Sequence, residues 1–279
     1  MTGDIRSDEG DDVFNNLYAG SCGYFDGRTS YETIYRIPSP REAADTVMHG
    51  NAQERAEADP AFCQQMLFDI ILAEGFRRSG TYVYRADCPD CKACIPIRIS
   101  PGAFEPSKSQ RRVFERNRDL AVTITSNADA FVTDEKVSLF RAYDRRHNPD
   151  AEKSFDEAKR MLTDMNGICR TADNTRCESF YSGTMNMNYT CGGTLVGVGI
   201  IDAGAASLSS NYFYYDTSDE TKKRSIGTYS ILREIELCRK FHLQRYYLGY
   251  WLKDCKSMVY KSNFKPHELL IGGEWKIIT

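Results

Sequence analysis

The chain has 279 residues, of which 41% are hydrophobic and 12% aromatic, enough to bury one large core or two modest ones. Its N-terminus has no long apolar run, so the sequence predicts neither a signal peptide nor a membrane span, and we expect a soluble, cytoplasmic protein. In that compartment the ten cysteines are better explained as thiols, metal ligands or core residues than as disulfides.

Charged residues are unevenly distributed along the chain, whose formal net charge is −3. Residues 75–118 carry ten Lys and Arg against four Asp and Glu, and residues 222–265 carry eleven against three. Such segregation can build a basic face for phosphate oxygens, although scattered, solvated charge would give the same composition. Nucleic acid is therefore one candidate class of partner.

The N-terminal quarter contains a predicted tail, a connector and one clear helix. Residues 1–17 are acidic and polar at their start and are predicted to be disordered, and residues 38–58 read as a connector. The helix starts at Asp59-Pro60, where a capping carboxylate precedes a first-turn proline, and ends near Gly75. Its apolar residues that fall on one face are Phe62, Met66, Leu67, Ile70 and Ile71.

Short strands and amphipathic helices follow in a mixed order. The predicted strands are 82–84, 95–99, 122–125, 180–181, 195–201, 208–215, 246–248 and 274–278. The predicted helices are 107–118, 134–146, 154–165 and 226–241, with a short helical stretch at 254–261. Ser154 and Glu157 have the spacing of a capping box. The pattern by itself indicates an α+β fold class.

Cys88, Cys91 and Cys94 follow one another at intervals of three, in two CxxC steps that share a cysteine. A loop of this kind can turn several sulfurs inward, which suits zinc or an iron–sulfur cluster. A fourth ligand is needed, and Cys22 in a turn-forming SCGY stretch is the best candidate; the alternative is a set of reduced thiols without metal. The cysteines expected in the core are Cys63, Cys169, Cys177, Cys191 and Cys238, with Cys255 either there or near the site.

Three groups of motifs together resemble one family. The first is GFRRSGTY at 75–82; the second runs from the cysteine cluster through IPIRI to SKSQRR at 107–112; the third includes SIGTY at 225–229 and LGYW at 248–251. In this order they resemble the aminoacyl-tRNA–protein transferases of the N-degron pathway over roughly residues 18–270. The bacterial aspartate/glutamate leucyltransferases are more similar than the eukaryotic arginyltransferases, which have a cysteine where this chain has Phe25.

The resemblance implies a GNAT-like acyltransferase fold, with a cysteine-bearing N-terminal region at 18–125 and a transferase domain at 126–279. It implies transfer of an amino acid, with leucine favoured over arginine, from a charged tRNA to the N-terminal Asp or Glu of an acceptor protein. The acceptor α-amine attacks an ester that is already activated, so the chemistry requires no cofactor. The remaining tasks are to align the reactants, stabilise the oxyanion and protonate the departing ribose oxygen.

Recognition of an acceptor carboxylate calls for the planar pair of donors that arginine offers. The candidates for this acceptor site are Arg77, Arg78 and Arg98, with Ser79, Lys108, Gln110 and Arg111 around them. Alternatively, the same side chains contact phosphate groups or lie at the surface without a ligand. If the three arginines lay far from the groove expected at 212–229, the proposed site would fail.

The charged 3′ end of the tRNA is expected at the start of the long helix, where GNAT folds cradle a pyrophosphate. The candidates for this donor site are Arg224, Ser225, Gly227, Tyr229, Trp251 and Lys261. Tyr229 would crowd the path of coenzyme A, but its ring could stack on a terminal adenine; the alternative places it in the core. Asp216 and Tyr250 are the candidate catalytic residues of a proton relay, although a strand-end carboxylate is often a turn residue.

Two other functions share parts of this pattern. An acetyl-CoA-dependent N-acetyltransferase would have the same fold and an amine acceptor, but Tyr229 and the basic segments argue against it. A non-catalytic, metal-bearing RNA-binding module would explain the cysteines and the charge. The strand, long helix and strand of the second half supply more structure than such a module needs.

Overall fold

Two β-sheets carry the fold in the computed structural model, which describes residues 17–47, 59–150, 152–168 and 181–279. The smaller sheet is antiparallel and has four strands. In spatial order they are β1 (Leu17–Ser21), β2 (Thr29–Arg36), β4 (Tyr82–Ala86) and β3 (Arg77–Ser79). The predicted tail up to residue 16, together with Cys169, Cys177 and Phe180, lies outside the described residues.

The larger sheet has eight strands, and its central pair, β10 and β9, is parallel whereas its other neighbouring strands are antiparallel. In spatial order the strands are β12 (Glu274–Ile278), β11 (His267–Ile271), β5 (Ile95–Ile99), β10 (Arg245–Trp251), β9 (Ser207–Tyr215), β8 (Thr194–Ala203), β7 (Thr184–Cys191) and β6 (Leu120–Thr125). The predicted α+β class is confirmed. The domain division at residue 125 stays a prediction, and β5 and β6 place part of the first predicted region in this sheet.

Seven α-helices and two short 3₁₀ helices are present in the described ranges. The α-helices are α1 (Pro40–Val47), α2 (Pro60–Ala73), α3 (Lys108–Arg116), α4 (Asp134–His147), α5 (Phe155–Met165), α6 (Asp219–Arg224) and α7 (Ile226–Lys240). The 3₁₀ helices are Ala128–Ala130 and Val259–Asn263. No helix in the described parts of the chain is long and apolar enough to cross a membrane.

Helices cover the two faces of the larger sheet and bury separate apolar clusters. On one face, α3 and α7 pack over the centre of the sheet, with Leu232 and Ile235 in the same buried cluster as Tyr246. On the other face, Phe140 of α4 packs in a second cluster with Tyr214 of β9. The small sheet and α2 meet β10 in a third cluster that contains Tyr247. The central parallel strands are therefore enclosed from both sides.

The predicted starts of α2 and α5 are confirmed, because they depend on local capping. The carboxylate of Asp59 accepts hydrogen bonds from Ala61 and Phe62 at the start of α2. Ser154 and Glu157 form the reciprocal capping box of α5. Each bond satisfies a backbone N–H that has no partner within the helix.

Several predicted elements differ from the structure. The connector at 38–58 contains α1, and residues 48–58 of it lie outside the described residues. The short helix predicted at 254–261 is instead the 3₁₀ helix Val259–Asn263. Tyr181 belongs to no strand, whereas β1, β2, β3, β7 and β11 were not predicted.

The predicted apolar face of α2 is not the one that packs on the protein. Phe62 and Ile70 are 49% and 58% exposed, whereas Phe68 and Leu72 are buried. The buried face also carries Gln64, whose amide donates to the Pro38 carbonyl and accepts from Ser182. A buried polar side chain needs such partners, and here they lie on the face that packs on the protein.

Candidate active site

The central parallel strands separate after three residue pairs. Ser207, Leu208 and Ser209 of β9 pair with Arg245, Tyr246 and Tyr247 of β10. Beyond this point β9 remains paired with β8, and β10 remains paired with β5. The register of β9 shifts between Ser210 and Tyr212, and that of β10 shifts between Tyr247 and Gly249. Such bulges bend strands. We call the resulting gap between 210–215 and 248–251 the cleft; it lies at the carboxyl ends of parallel strands, where ligands bind in open α/β sheets.

Arg77 reaches into the cleft from β3. Its Nη2 donates to the carbonyl of Ser210, and its guanidinium lies against Gly249, where an added Cβ would be 3.3 Å from Cζ. The residue is 7% exposed, its Nη1 is buried without a hydrogen-bond partner, and no carboxylate of the described residues forms an ion pair with it. A buried, unpaired cationic donor costs several kcal/mol in general, so this position is suited to an anionic ligand.

Gly249 is required by the cleft, because its φ of 88° is left-handed and its missing side chain admits Arg77. We expect Gly249→Ala to lower the free energy of unfolding by about 1–3 kcal/mol and to displace the guanidinium. Gly227 is the matched control, because a Cβ there would meet nothing within 4 Å. Urea unfolding of both alanine variants checks this, and equal effects would contradict it.

Lys261 and Tyr250 lie beside Arg77 at the same end of β10. The Lys261 ammonium donates to the carbonyl of Tyr250 at 2.9 Å, and burial together with the positive charge of Arg77 lowers the pKa of Lys261 to about 7. The Tyr250 hydroxyl accepts the N–H of Ala86 at 3.0 Å, and burial raises the pKa of this phenol. The cleft therefore brings together one predicted acceptor residue and two residues predicted for the donor and the relay.

Glu234 of α7 supplies a buried carboxylate that sequence reasoning did not single out. It is 1% exposed and accepts from the hydroxyls of Ser230 and Tyr246, each at 2.7 Å. Burial raises the pKa of Glu234, whereas these hydroxyl donors and the charge of Arg77 lower it. The only sequence signal was a serine four residues earlier, within reach on the helix surface.

The predicted cysteine ligands converge on one cavity of about 540 Å³ that Tyr84 and Tyr250 also line. All four thiols, of Cys22, Cys88, Cys91 and Cys94, are free. Burial, followed by the other three cysteines, raises the pKa of Cys94 to about 12. Nevertheless, no three His, Cys, Asp or Glu side chains of the described residues are placed to hold a metal ion. The cysteines therefore share a cavity, but their arrangement does not fit a metal site.

The other two predicted arginines are occupied by protein carboxylates. The Nε of Arg78 lies 2.8 Å from Asp202 with both side chains fully buried, and Nη1 donates to the Gly80 carbonyl at 2.7 Å. Arg98 pairs with Glu268 at 2.6 Å and stacks over the Trp275 ring at 4.0 Å. Both residues therefore hold strands together, and of the three arginines only Arg77 has a buried guanidinium nitrogen without a partner.

The remaining acceptor candidates do not gather around Arg77. Ser79 ends β3 opposite Tyr82. Lys108 and Arg111 are exposed on α3, which packs against α7. Gln110 is buried, closes the capping box of α3 and donates to the Asn263 carbonyl at 3.2 Å. Gln110 and Arg111, which donates to the Pro106 carbonyl, therefore stabilise the start of α3.

The start of α7 offers backbone rather than side-chain donors. Ser225 has a left-handed φ of 55° and makes no side-chain cap bond, and Gly227 faces open space. Arg224 is held by both oxygens of Asp119, at 2.7 and 2.8 Å. The first N–H groups of a helix without a cap can bind an anion.

Three further candidates are held by neighbouring protein groups. Tyr229 is 2% exposed, and its ring packs against Phe114, so it lies in the core, as the alternative interpretation had it. Asp216 accepts from the hydroxyls of Ser218 and Thr221 at the start of α6, as a turn residue does. The indole of Trp251 donates to the Val259 carbonyl at 3.3 Å.

Sequence comparison matches two successive parts of this chain to the N-terminal and C-terminal parts of one protein family. Residues 20–112 match the family described as arginine-tRNA-protein transferase, N terminus, and residues 135–271 match its C terminus. The aspartate/glutamate leucyltransferase of Saccharophagus degradans is 35% identical over 76% of this chain and 83% of its own length. That of Methylobacillus flagellatus is 36% identical over 75% and 77%.

Solved structures that align with this chain are much more distant. FemX aligns over 91% of this chain and 86% of its own, with a TM-score of 0.41 and 9% identity. The C-terminal domain of a putative lysylphosphatidylglycerol synthetase from Agrobacterium fabrum aligns over 85% and 70%, with a TM-score of 0.41 and 10% identity. The family assignment therefore rests on the sequence matches, which cover both halves of the chain. By these matches, the chain belongs to the arginine-tRNA-protein transferase family of aminoacyltransferases.

Proposed function

We propose that this protein transfers leucine from leucyl-tRNA to the N-terminal Asp or Glu of acceptor proteins in the cytoplasm, with the cleft as the reaction centre. The observation that carries the proposal is Arg77, a buried cation at the base of the cleft with one unused donor. The relatives named aspartate/glutamate leucyltransferase support the choice of leucine and of acidic acceptors.

In the proposed complex, the acceptor carboxylate binds Nη1 of Arg77, while Nη2 stays on the Ser210 carbonyl. A charge-assisted bond of this kind in a buried site discriminates strongly against a neutral amide side chain, which would leave the cation unpaired. The α-amine of the same residue is then held close to the cleft. Its ordinary pKa of about 7.7–8.0 leaves a reactive neutral fraction at cytoplasmic pH.

The donor end is proposed to follow the GNAT-like arrangement, with the ester in the cleft and a phosphate at the start of α7. The separation of β9 from β10, the uncapped first turn of α7 and the open space at Gly227 support this placement. Because α7 connects β9 to the parallel β10, its first turn lies at the same end of the sheet as the cleft. The predicted stacking of adenine on Tyr229 is not part of the proposal.

No step of the proposed reaction passes through a metal. The four cysteines line a cavity that adjoins the cleft through Tyr250, but their arrangement does not fit a metal site. The zinc or iron–sulfur group predicted from the sequence therefore finds no fitting set of ligands among the described residues. Elemental analysis of the purified protein and of Cys91→Ser tests it, since a resident metal would be lost from the variant.

Peptide mass identifies the reaction. We expect a peptide that begins with Asp to gain one leucine in the presence of leucyl-tRNA, and the matched peptide that begins with Asn to remain unmodified. Arginyl-tRNA and acetyl-CoA are tested in parallel. A gain of arginine would change the assigned cargo, and a gain of an acetyl group would replace the proposal. No gain with any donor would contradict it.

A further inference from the structure

We propose that Lys261 is a catalytic residue that moves the proton of the transfer reaction, from the attacking acceptor nitrogen to the departing ribose oxygen. This inference rests on the proposed function and adds to it a named acid–base group.

A hydrogen bond holds the Lys261 amine at the end of β10. The carbonyl of Tyr250 accepts this bond from Lys261 at 2.9 Å. A buried carbonyl needs such a partner, and this bond fixes the amine at the end of β10 where the cleft opens.

The surroundings of Lys261 favour a neutral amine. The residue is 9% exposed, and none of the carboxylates in the described ranges forms an ion pair with it. The charges of Arg77 of β3 and of Cys255 act on Lys261, and the Tyr250 carbonyl holds its amine. The preceding Tyr260 is influenced by the charge of Glu234 of α7. Burial and then the like charge of Arg77 lower the pKa of Lys261 to about 7, so the neutral form is well populated just above neutrality.

A neutral lysine in this position can both accept and return the proton that the reaction moves. One N–H stays on the Tyr250 carbonyl, which leaves a lone pair and a second N–H. The acceptor nitrogen forms a bond to the ester carbon and passes its proton to this lone pair. The bond from carbon to the ribose oxygen then breaks, its electron pair stays on the oxygen, and the lysine ammonium returns one proton to that oxygen. Lysine ends as it began, and no other reactant is consumed.

The other titratable groups of the cleft are less suited to this role. Burial raises the pKa of the Tyr250 phenol, so the phenolate is not available as a base. Glu234 is already engaged by two hydroxyls, and Asp216 by Ser218 and Thr221. The Arg77 guanidinium has donors only and no acceptor atom. Lys261 is thus the group in the cleft with both a suitable pKa and an unused lone pair.

A pH–rate profile with the conservative variant tests the proposal. For the wild type, log(kcat/KM) for an Asp-starting peptide should rise with a slope of about 2 below pH 7, because both lysine and the α-amine must lose a proton. Lys261→Arg keeps a cation and a donor for the Tyr250 carbonyl but cannot accept a proton. We expect its rate to fall by about 10²–10⁴-fold and its slope to become about 1. An arginine variant with the wild-type rate and slope would overturn the proposal.

A second measurement does not depend on activity. Lysines are reductively methylated with ¹³C-formaldehyde in the intact chain, and the Lys261 signal is assigned by its absence from Lys261→Arg. We expect one lysine signal of the wild type to titrate near pH 7 and to be the one missing from the variant. If every lysine signal of the wild type titrated near the ordinary value of about 10.4, the proposal would be overturned even if the variant failed to fold. Wild-type protein that transfers no leucine would contradict the proposed function instead, so the two failures are distinguishable.

Discussion

Arg77→Lys is expected to lower kcat/KM for peptides that begin with Asp or Glu by roughly 30- to 1,000-fold, which corresponds to about 2–4 kcal/mol. The guanidinium can bind the Ser210 carbonyl and a ligand at once through two nitrogens. A lysine ammonium is a point donor on a flexible stem, so it cannot hold the same two partners in one plane. Because lysine retains the positive charge, the loss of kcat/KM reports the loss of the planar pair of donors and not the loss of charge.

Arg85→Lys is the matched control, because it makes the same change on the neighbouring strand. Arg85 of β4 donates to the Glu74 carbonyl at 3.2 Å and lies over the Phe76 ring at 4.7 Å, away from the cleft. Its variant should keep nearly full activity. Leucyl-tRNA affinity, measured by filter binding, should be unchanged in both variants. If Arg77→Lys weakened tRNA binding as much as it weakened the acceptor, Arg77 would be a phosphate contact.

The contrast between Arg77 and Arg78 shows where sequence reasoning stops. The FRRSG motif identified both residues as anion-binding candidates, since a guanidinium gives the same signal for any anionic partner. The structure pairs Arg78 with Asp202, which is 124 residues away along the chain. No local pattern contains that contact, so the free donor and the occupied one could be separated only after folding.

Local signals predicted the helices better than the sheet. The starts of α2 and α5 depend on neighbours within three residues, so Asp59, Ser154 and Glu157 were sufficient. In contrast, β7 was not predicted, although TMNMNYTC alternates apolar and polar residues; its polar Asn186 is buried and donates a hydrogen bond to Asn166. The burial of this strand therefore depends on partners outside it, which its own sequence does not show.

The sequence motifs predicted a groove near 212–229 and LGYW, and the structure shows Gly249 of LGYW admitting Arg77 between the strands. The residues around this position could not all be predicted. Tyr229 was expected to face a nucleotide, yet helix periodicity around it fits the core equally well, and the structure buries it. Glu234 was overlooked because a glutamate on a long helix is usually exposed. Its burial depends on Tyr246, twelve residues later on β10.

Arg78→Met is expected to lower the free energy of unfolding by about 3–5 kcal/mol, the largest stability effect of the substitutions considered. The change leaves the Asp202 carboxylate fully buried with only neutral donors, among them Thr184 at 2.9 Å. It also removes the donor to the Gly80 carbonyl, which loses a bond of 2.7 Å. Urea unfolding gives the free energy directly, provided that the transition is two-state.

The reason for this cost can be separated from loss of packing by a second substitution. Combining Arg78→Met with Asp202→Leu removes the buried charge as well as its partner, so much of the lost stability should return. The exposed pair of Arg36 and Glu42 is the control, and Arg36→Met should change stability little because water already solvates both charges. If the double variant were as unstable as the single one, the loss would come from shape and not from the stranded carboxylate. The single variant, where folded, should still prefer acidic acceptors, because that preference belongs to the adjacent Arg77.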